Sequence, residues 1–174
     1  MVTQSNGALW AVAFHPDGKH FFGGMSNGIQ RWRIADGQQV GEQTGMNMND
    51  ISVSRDGKWI VCGTTEGASV WDAELQRKVI EVEDAHWVDA VDVSQSTRFA
   101  TGTANGNRKA SIWSITTGER LVGPLEHDSD VTGIKFFPDG GHIRVATACE
   151  DSIHIFDSYN GRRLITIGNP MSSV

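Results

Sequence analysis

The chain has 174 residues and an ordinary globular composition, so its length suits one domain with a real hydrophobic core. A formal net charge of −6, a pI near 5.4 and basic residues spread along the chain argue against nucleic acid as a partner. No apolar run approaches the roughly 20 residues that span a bilayer, and the amino terminus does not resemble a signal peptide, which predicts a cytoplasmic or nuclear protein without a membrane partner.

Four similar segments follow one another along the chain. Their approximate bounds are 7–45, 46–85, 86–127 and 128–170. Each segment has a large aromatic residue at the same place, and these anchors stand 39, 42 and 43 residues apart. The anchors, to which we assign a structural role, are Trp32, Trp71, Trp113 and Phe156. We interpret residues 1–174 as a single domain of four repeats.

The predicted elements within each segment are short strands, because apolar residues alternate with a period of two rather than 3.6. In chain order, the first strands contain Val12/Phe14, Ile51/Val53, Val91/Val93 and Ile134/Phe136. Three of these strands are followed by turns with a structural aspartate, namely Asp17, Asp56 and Asp139. Second hairpins follow at Asn27-Gly28, Glu66-Gly67 and Asn105-Gly106. The pattern predicts an all-β protein of four four-stranded antiparallel meanders without an amphipathic helix.

Residues 126–140, EHDSDVTGIKFFPDG, resemble the repeat motif of the WD-repeat β-propellers, and Trp71-Asp72 matches the dipeptide that names this family. The resemblance covers about residues 7–168, and the repeats are similar to the WD arrays of large fungal signalling proteins. It implies that each meander is a propeller blade. It also implies a non-catalytic scaffold that binds a protein or peptide.

His127 is the residue that most resembles part of a catalytic centre, because it stands close to Asp130 in this motif. In WD propellers a histidine at this place commonly joins a hydrogen-bond network within its blade, which implies a structural role for His127. By the same register, Glu150 takes the place of the tight-turn aspartate and Phe156 that of the tryptophan. Because a phenyl ring has no N–H donor, we expect the network to be partial.

The sequence contains no catalytic or metal-binding motif, and we expect neither enzymatic activity nor a cofactor. Its glycine-rich stretches are hairpin tips rather than phosphate-binding loops between a strand and a helix. Cys62 and Cys149 lie far apart, and no histidines fall at the spacing of a metal site. The alternative from another class is a propeller enzyme that uses Asp89, His86 and Asp130 at the channel mouth.

Candidate partner-binding residues lie in loops that we expect on one face of the domain. Trp10 is an aromatic residue where the other repeats have Asn49, Asp89 and Thr132, which favours a role as a recognition anchor. Trp87 enters an innermost strand, which favours packing between blades for this residue, with partner binding as the alternative. The full set of partner-binding candidates is Trp10, Trp87, Asp89, Asn107, Arg108, Lys109 and Asp130.

Four WD-type blades are expected to form half a ring, because most WD propellers close with more blades. An open arc would expose the apolar outer sides of its first and last blades. We expect two chains to close an eight-bladed ring by packing blade 1 of each on blade 4 of the other. This expectation is favoured because the chain starts at an innermost strand and ends with an outermost one. The alternatives are a fragment of a longer WD-repeat protein and a closed four-bladed monomer.

Overall fold

The computed structural model describes residues 7–45, 47–75, 77–83, 87–94, 97–138 and 144–168, which form sixteen strands. In chain order they are β1 Leu9–Phe14, β2 His20–Met25, β3 Gly28–Arg33, β4 Gln39–Thr44, β5 Asp50–Val53, β6 Trp59–Gly63, β7 Ala68–Asp72, β8 Lys78–Val82, β9 Val88–Ser94, β10 Arg98–Thr103, β11 Lys109–Ser114, β12 Arg120–Glu126, β13 Gly133–Phe136, β14 Arg144–Ala148, β15 Ser152–Asp157 and β16 Arg163–Gly168.

The strands form four antiparallel sheets of four strands each, and each sheet joins its strands in chain order. The predicted all-β fold of four meanders is confirmed. We call β1–β4 blade 1, β5–β8 blade 2, β9–β12 blade 3 and β13–β16 blade 4. None of the described residues forms a helix that could span a membrane.

Alternation along the strands gives each blade two apolar faces. In blade 3, Phe99 pairs with Val93 on one side and Trp113 on the other, so these three side chains share one face. Ala100 and Ile112 pair on the opposite face. Both faces are buried, because blade 3 lies between blades 2 and 4.

Neighbouring blades pack on one another in chain order. The inner strands make contact from β1 to β5, from β5 to β9 and from β9 to β13. Three apolar cores fill the spaces between successive blades. In the described part of the chain, β1 and β13 do not pack against each other, so the blades form an open arc. Arg55 of blade 2 reaches under the arc and donates a hydrogen bond to the carbonyl oxygen of Pro138 in blade 4, at 2.7 Å.

The strand directions define two ends of the arc. The hairpins between second and third strands and the connections between blades emerge on what we call the upper face. The other turns emerge on the lower face. Two residues of the sequence predictions, His86 and Asp139, lie outside the described residues.

Candidate functional site

His127 lies between blades 3 and 4 and is buried. One ring nitrogen, Nδ1, is 2.8 Å from the carbonyl oxygen of Leu125, and the other, Nε2, is 2.8 Å from the Thr147 hydroxyl. Burial lowers the pKa of His127, so the neutral ring is favoured. Both ring nitrogens are therefore hydrogen-bonded within the protein, and neither is free for proton transfer to a substrate.

The network around His127 is shorter than the one expected. Phe156 contacts the imidazole edge-on, with ring centroids 5.5 Å apart, and continues no hydrogen bond. Glu150 is exposed, and its recorded hydrogen bond runs from its backbone nitrogen to the Ser129 hydroxyl. A second histidine, His154, lies next to His127, with ring centroids 5.3 Å apart. Its two ring nitrogens are hydrogen-bonded to the Ser152 and Thr166 hydroxyls.

The anchor tryptophans occupy equivalent places but differ in their surroundings. Trp113 is buried, stacks on Phe99 and donates its indole hydrogen bond to the Thr101 hydroxyl at 3.0 Å. Trp71 is half-buried and donates to the Ser69 hydroxyl at 3.0 Å. Trp32 is buried and stacks on Phe21 with ring centroids 5.4 Å apart.

The turn aspartates close their own turns. Asp17 accepts hydrogen bonds from the backbone nitrogens of Lys19 and His20, and its carboxylate also contacts the His20 ring at 2.7 Å. These bonds to the ionised form hold the pKa of Asp17 well below its usual range, although burial acts in the opposite direction. In blade 2, Asp56 accepts hydrogen bonds from the Ser54 hydroxyl and from the Lys58 backbone nitrogen of its own turn.

Two carboxylates that the sequence analysis missed join neighbouring inner strands. Asp50 accepts a hydrogen bond from the backbone nitrogen of Val91 at 2.8 Å, although burial raises its pKa. Asp92 accepts from the Ser52 hydroxyl, from the Phe136 backbone nitrogen at 2.7 Å and from the Lys135 ammonium group. Asp92 therefore connects blades 2, 3 and 4. The available signal in the sequence was an acidic residue between the apolar Val91 and Val93 of an inner strand.

Trp87 is the most unusual residue of the upper face. Its backbone has a φ of 68°, a left-handed conformation that large side chains rarely adopt, and its side chain is 41% exposed. The Trp87 side chain lies next to the Asp89 carboxylate and lowers its pKa slightly. Burial, followed by the charge of Asp130, raises the pKa of Asp89. An exposed tryptophan is thus held next to a carboxylate at the entrance of the inner strand.

The predicted basic hairpin tip lies on the same face. Asp130 holds this tip from the following connection, because its two carboxylate oxygens accept the backbone nitrogens of Asn105 and Gly106, each at 3.0 Å. The Arg108 side chain is exposed and lines a hollow of about 310 Å³ together with Asp130. Lys109 begins β11 and pairs with Glu126 at 3.7 Å. Asn107 is half-buried and donates its backbone hydrogen bond to Ala104.

The polar groups of the described residues do not converge as an active site would require. No three His, Cys, Asp or Glu side chains of the described ranges lie close enough to hold a metal ion. Cys62 is buried between blades, and burial raises its thiol pKa, so it is not a nucleophile. Asp89 lies near Asp130, but Asp130 is already bound to two backbone amides.

The outer side of blade 1 is an uncovered apolar surface, which we call the open face of blade 1. Its exposed members include Val12 and Phe14, at 64% and 72%. A hollow of about 500 Å³ lies in this face. It is lined by Leu9, Trp10, Ala11, Val12, Phe21, Gly23, Trp32 and Gly37. The structure therefore places Trp10 at the open end of the arc.

The outer side of blade 4, the open face of blade 4, is also apolar. Strand pairing places Ile153 beside Ile167 and Ile155 beside Ile165 on this side. Ala146 and Ala148 continue these two rows on the next strand. Three of the isoleucines are exposed and Ile155 is half-buried, so both ends of the arc present unpaired apolar faces.

Comparison with known proteins agrees with this architecture. The family profile described as WD domain, G-beta repeat matches residues 2–33 and 119–157. The solved structure of U3-55K has a TM-score of 0.80 at 12% identity, over 95% of this chain and 53% of that one. In these stretches of sequence and in its fold, the chain is similar to the WD-repeat β-propeller family. WD-repeat proteins generally serve as scaffolds for protein interactions.

Two further matches show how much of a similar protein this chain covers. WD repeat and SOCS box-containing protein 1 of Xenopus tropicalis is 24% identical over 164 residues, which is 85% of this chain and 38% of that protein. The chain therefore spans about two fifths of the relatives it matches. The computationally designed Ika4 protein, at 21% identity and a TM-score of 0.73, is covered to 95% by 90% of this chain. A chain of similar length with this fold thus exists in a solved structure.

Proposed function

We propose that this WD-repeat chain is a non-catalytic scaffold for a protein or peptide partner, and that two copies form one eight-bladed ring. The dispersion of polar groups in the described ranges favours a scaffold over an enzyme. The observation that carries the assembly is the state of the two open faces. They have the composition of blade interfaces but are in contact with solvent.

The open face of blade 1 repeats the face that blade 3 buries against blade 2. Phe14 and Val12 take the strand positions of Val93 and Val91, which are 7% and 0% exposed. Leu9 takes the position of Val88 in the same way. Because the internal interface buries these positions fully, the open face of blade 1 is fitted to the side of another blade.

The open face of blade 4 repeats the face that blade 2 buries against blade 3. Ile155 and Ile165 correspond to Val70 and Ile80 by strand register. Ile167, which is 56% exposed, corresponds to the buried Val82. The two open faces are therefore the two halves of an interface that the arc already makes three times.

A second copy is the occupant that satisfies both faces at once. When blade 4 of each chain packs on blade 1 of the other, a head-to-tail contact closes after two subunits. Each of eight blades subtends about 45 degrees, within the range of known propellers. The likeness to a solved chain of four such blades supports this division.

The upper face is the recognition surface in this proposal. Trp87 supplies an exposed aromatic side chain with a fixed backbone, and Arg108 supplies a cation on the neighbouring hairpin. A photoreactive amino acid at position 108 is expected to cross-link the physiological partner in cell extract. The same group at position 36, on the lower face, is the control. Capture of the same protein from both positions, or from position 36 alone, contradicts an upper-face site.

The ring is tested by light scattering on a size-exclusion column over a dilution series. We expect twice the 19.0 kDa mass of the chain at all concentrations. Val12→Asp places a charge in the open face of blade 1 and should give monomers. Leu121→Asp is the matched control, because Leu121 is exposed on blade 3 and belongs to neither open face. A wild-type monomer, or a mass well above two chains, refutes the two-chain ring.

A further inference from the structure

The blade interfaces differ in the size of the side chains at one pair of equivalent positions. The first position, three residues before the anchor aromatic, points to the following blade and is Ile29, Ala68, Ala110 and Ile153 in chain order. The second position lies on the face that receives the preceding blade. It pairs with the inner strand, and in chain order it is Gly23, Cys62, Thr101 and Thr147.

The two positions vary together across the three internal interfaces. Between blades 1 and 2, the large Ile29 lies in the same core as Cys62. Between blades 2 and 3, the small Ala68 is matched by the β-branched Thr101. Between blades 3 and 4, Ala110 is matched by Thr147. A larger residue on one blade thus occurs with a less bulky residue on the next, as close packing requires.

The two open faces carry the smallest residue of the second position and one of the two isoleucines of the first position. Ile153 protrudes from blade 4, where both preceding blades have alanine, and it is exposed. Gly23 has no side chain, and the hollow of blade 1 lies beside it. The Trp32 ring lies so close to Gly23 that an added Cβ would be 2.7 Å from ring atom Cζ3. The Trp32 ring therefore takes the place that threonine side chains fill in blades 3 and 4, and the hollow of blade 1 is lined by this ring and by Gly23.

We propose that Ile153 of one copy fills the hollow over Gly23 and Trp32 of the other copy, and that this size match specifies which blades close the ring. This inference rests on the proposed two-chain assembly and adds which residues meet across the interface between the two copies. Blade 4 is then matched to blade 1 of a second copy better than to the other exposed surfaces of the described residues. The threonines of blades 3 and 4 leave no such room for an isoleucine.

The first experiment measures the dimer dissociation constant of three alanine variants by sedimentation. Ile153→Ala should weaken the dimer at least about 100-fold, because each ring loses two buried isoleucine side chains. Ile165→Ala, on the same face but at a position where blade 2 also has isoleucine, should weaken it less. Leu121→Ala is the control for an exposed residue outside the interface and should have no effect. Equal losses for Ile153→Ala and Ile165→Ala overturn the size match.

The second experiment identifies the contact directly, at a protein concentration well above the dissociation constant of the Ile153→Cys variant, because this substitution itself weakens the dimer. In a Cys149→Ser background, one chain carries Val12→Cys at the rim of the hollow and a second chain carries Ile153→Cys. After the two chains are mixed and allowed to exchange, a short bis-maleimide reagent should link them. Each variant alone should give far less cross-linked dimer.

The outcomes separate the two proposals. A monomeric wild-type chain refutes the ring and the size match together. A wild-type dimer without cross-linking in the mixture leaves the ring in place and refutes the pairing of Ile153 with the hollow. Cross-linking together with a selective loss in Ile153→Ala supports both.

Discussion

The anchor tryptophans at the two interfaces of blade 2 differ in burial, so the same substitution, tryptophan to alanine, can be compared at both. Trp113→Ala removes an aromatic ring that is only 5% exposed and stacks on Phe99. A tryptophan buries about 200 Å², which corresponds to about 5 kcal/mol at 25 cal/mol per Å². The substitution also leaves the Thr101 hydroxyl without its indole donor. We expect a loss of about 3–5 kcal/mol in the free energy of unfolding.

Trp71→Ala is the internal comparison, because Trp71 has the same position in blade 2 but is half-buried. The Lys78 ammonium group lies over its ring, 5.9 Å from the ring centre. We expect a loss of about 2 kcal/mol, since a smaller part of the ring leaves the apolar core. Trp113→Phe, which keeps the stacking but not the N–H, should cost about 1–2 kcal/mol.

The assay is calorimetric unfolding at one fixed protein concentration, because association of the chains shifts the apparent stability. For a domain of this size 1 kcal/mol shifts Tm by about 2–4 °C, so Trp113→Ala should lower Tm by about 6–20 °C. Trp71→Ala should lower it by about 4–8 °C. If both alanine variants lose the same stability, burial between blades is not the main source of the anchor's contribution.

Three further predictions follow from other parts of the arc. Asp92→Ala should lower the unfolding free energy by about 2–3 kcal/mol in a urea titration, because it leaves the Phe136 amide and the Ser52 hydroxyl unpaired; a loss below that of Asp36→Ala, an exposed control, contradicts this. Burial lowers the pKa of His127 in the folded chain, so the unfolded chain binds the proton more tightly; stability should be complete above about pH 6.5 and fall as the pH drops below it, with a smaller slope in His127→Gln. Trp87→Gly should keep or raise Tm by relieving the left-handed backbone while it weakens partner binding; a large loss of Tm means that the tryptophan is needed for packing.

The sequence was sufficient to predict the blades. Period-two alternation around residues such as Val91 and Val93, together with paired turn residues, determines strand and hairpin positions locally. Spaced tryptophans such as Trp71 then set the register between repeats. The alternation and the turn residues are short-range signals that are visible within one repeat, and the spacing of the tryptophans is visible when repeats are compared.

The features that the sequence analysis missed depend on contacts between repeats. Asp92 looks like a solvent-facing residue of a two-sided strand, and only the position of the next blade makes it a connector. Asp130 was assigned to partner binding, yet its carboxylate holds two amides of the preceding hairpin. The left-handed backbone of Trp87 has no marker in the sequence, since glycine or asparagine is expected at such a position. The assignments of the partner-binding and structural residues remain predictions.

The fixed backbone of Trp87 has a consequence for the kind of partner that a ring of two copies would retain. Each ring presents this tryptophan twice, at positions related by the two-fold axis. A ligand with a single recognition motif occupies one position and dissociates with its intrinsic rate. A dimeric ligand, or a chain with two motifs separated by a linker of matching reach, meets the second position at a millimolar effective concentration. Its avidity can then exceed the single-site affinity by about 10²–10⁴ without any additional contact.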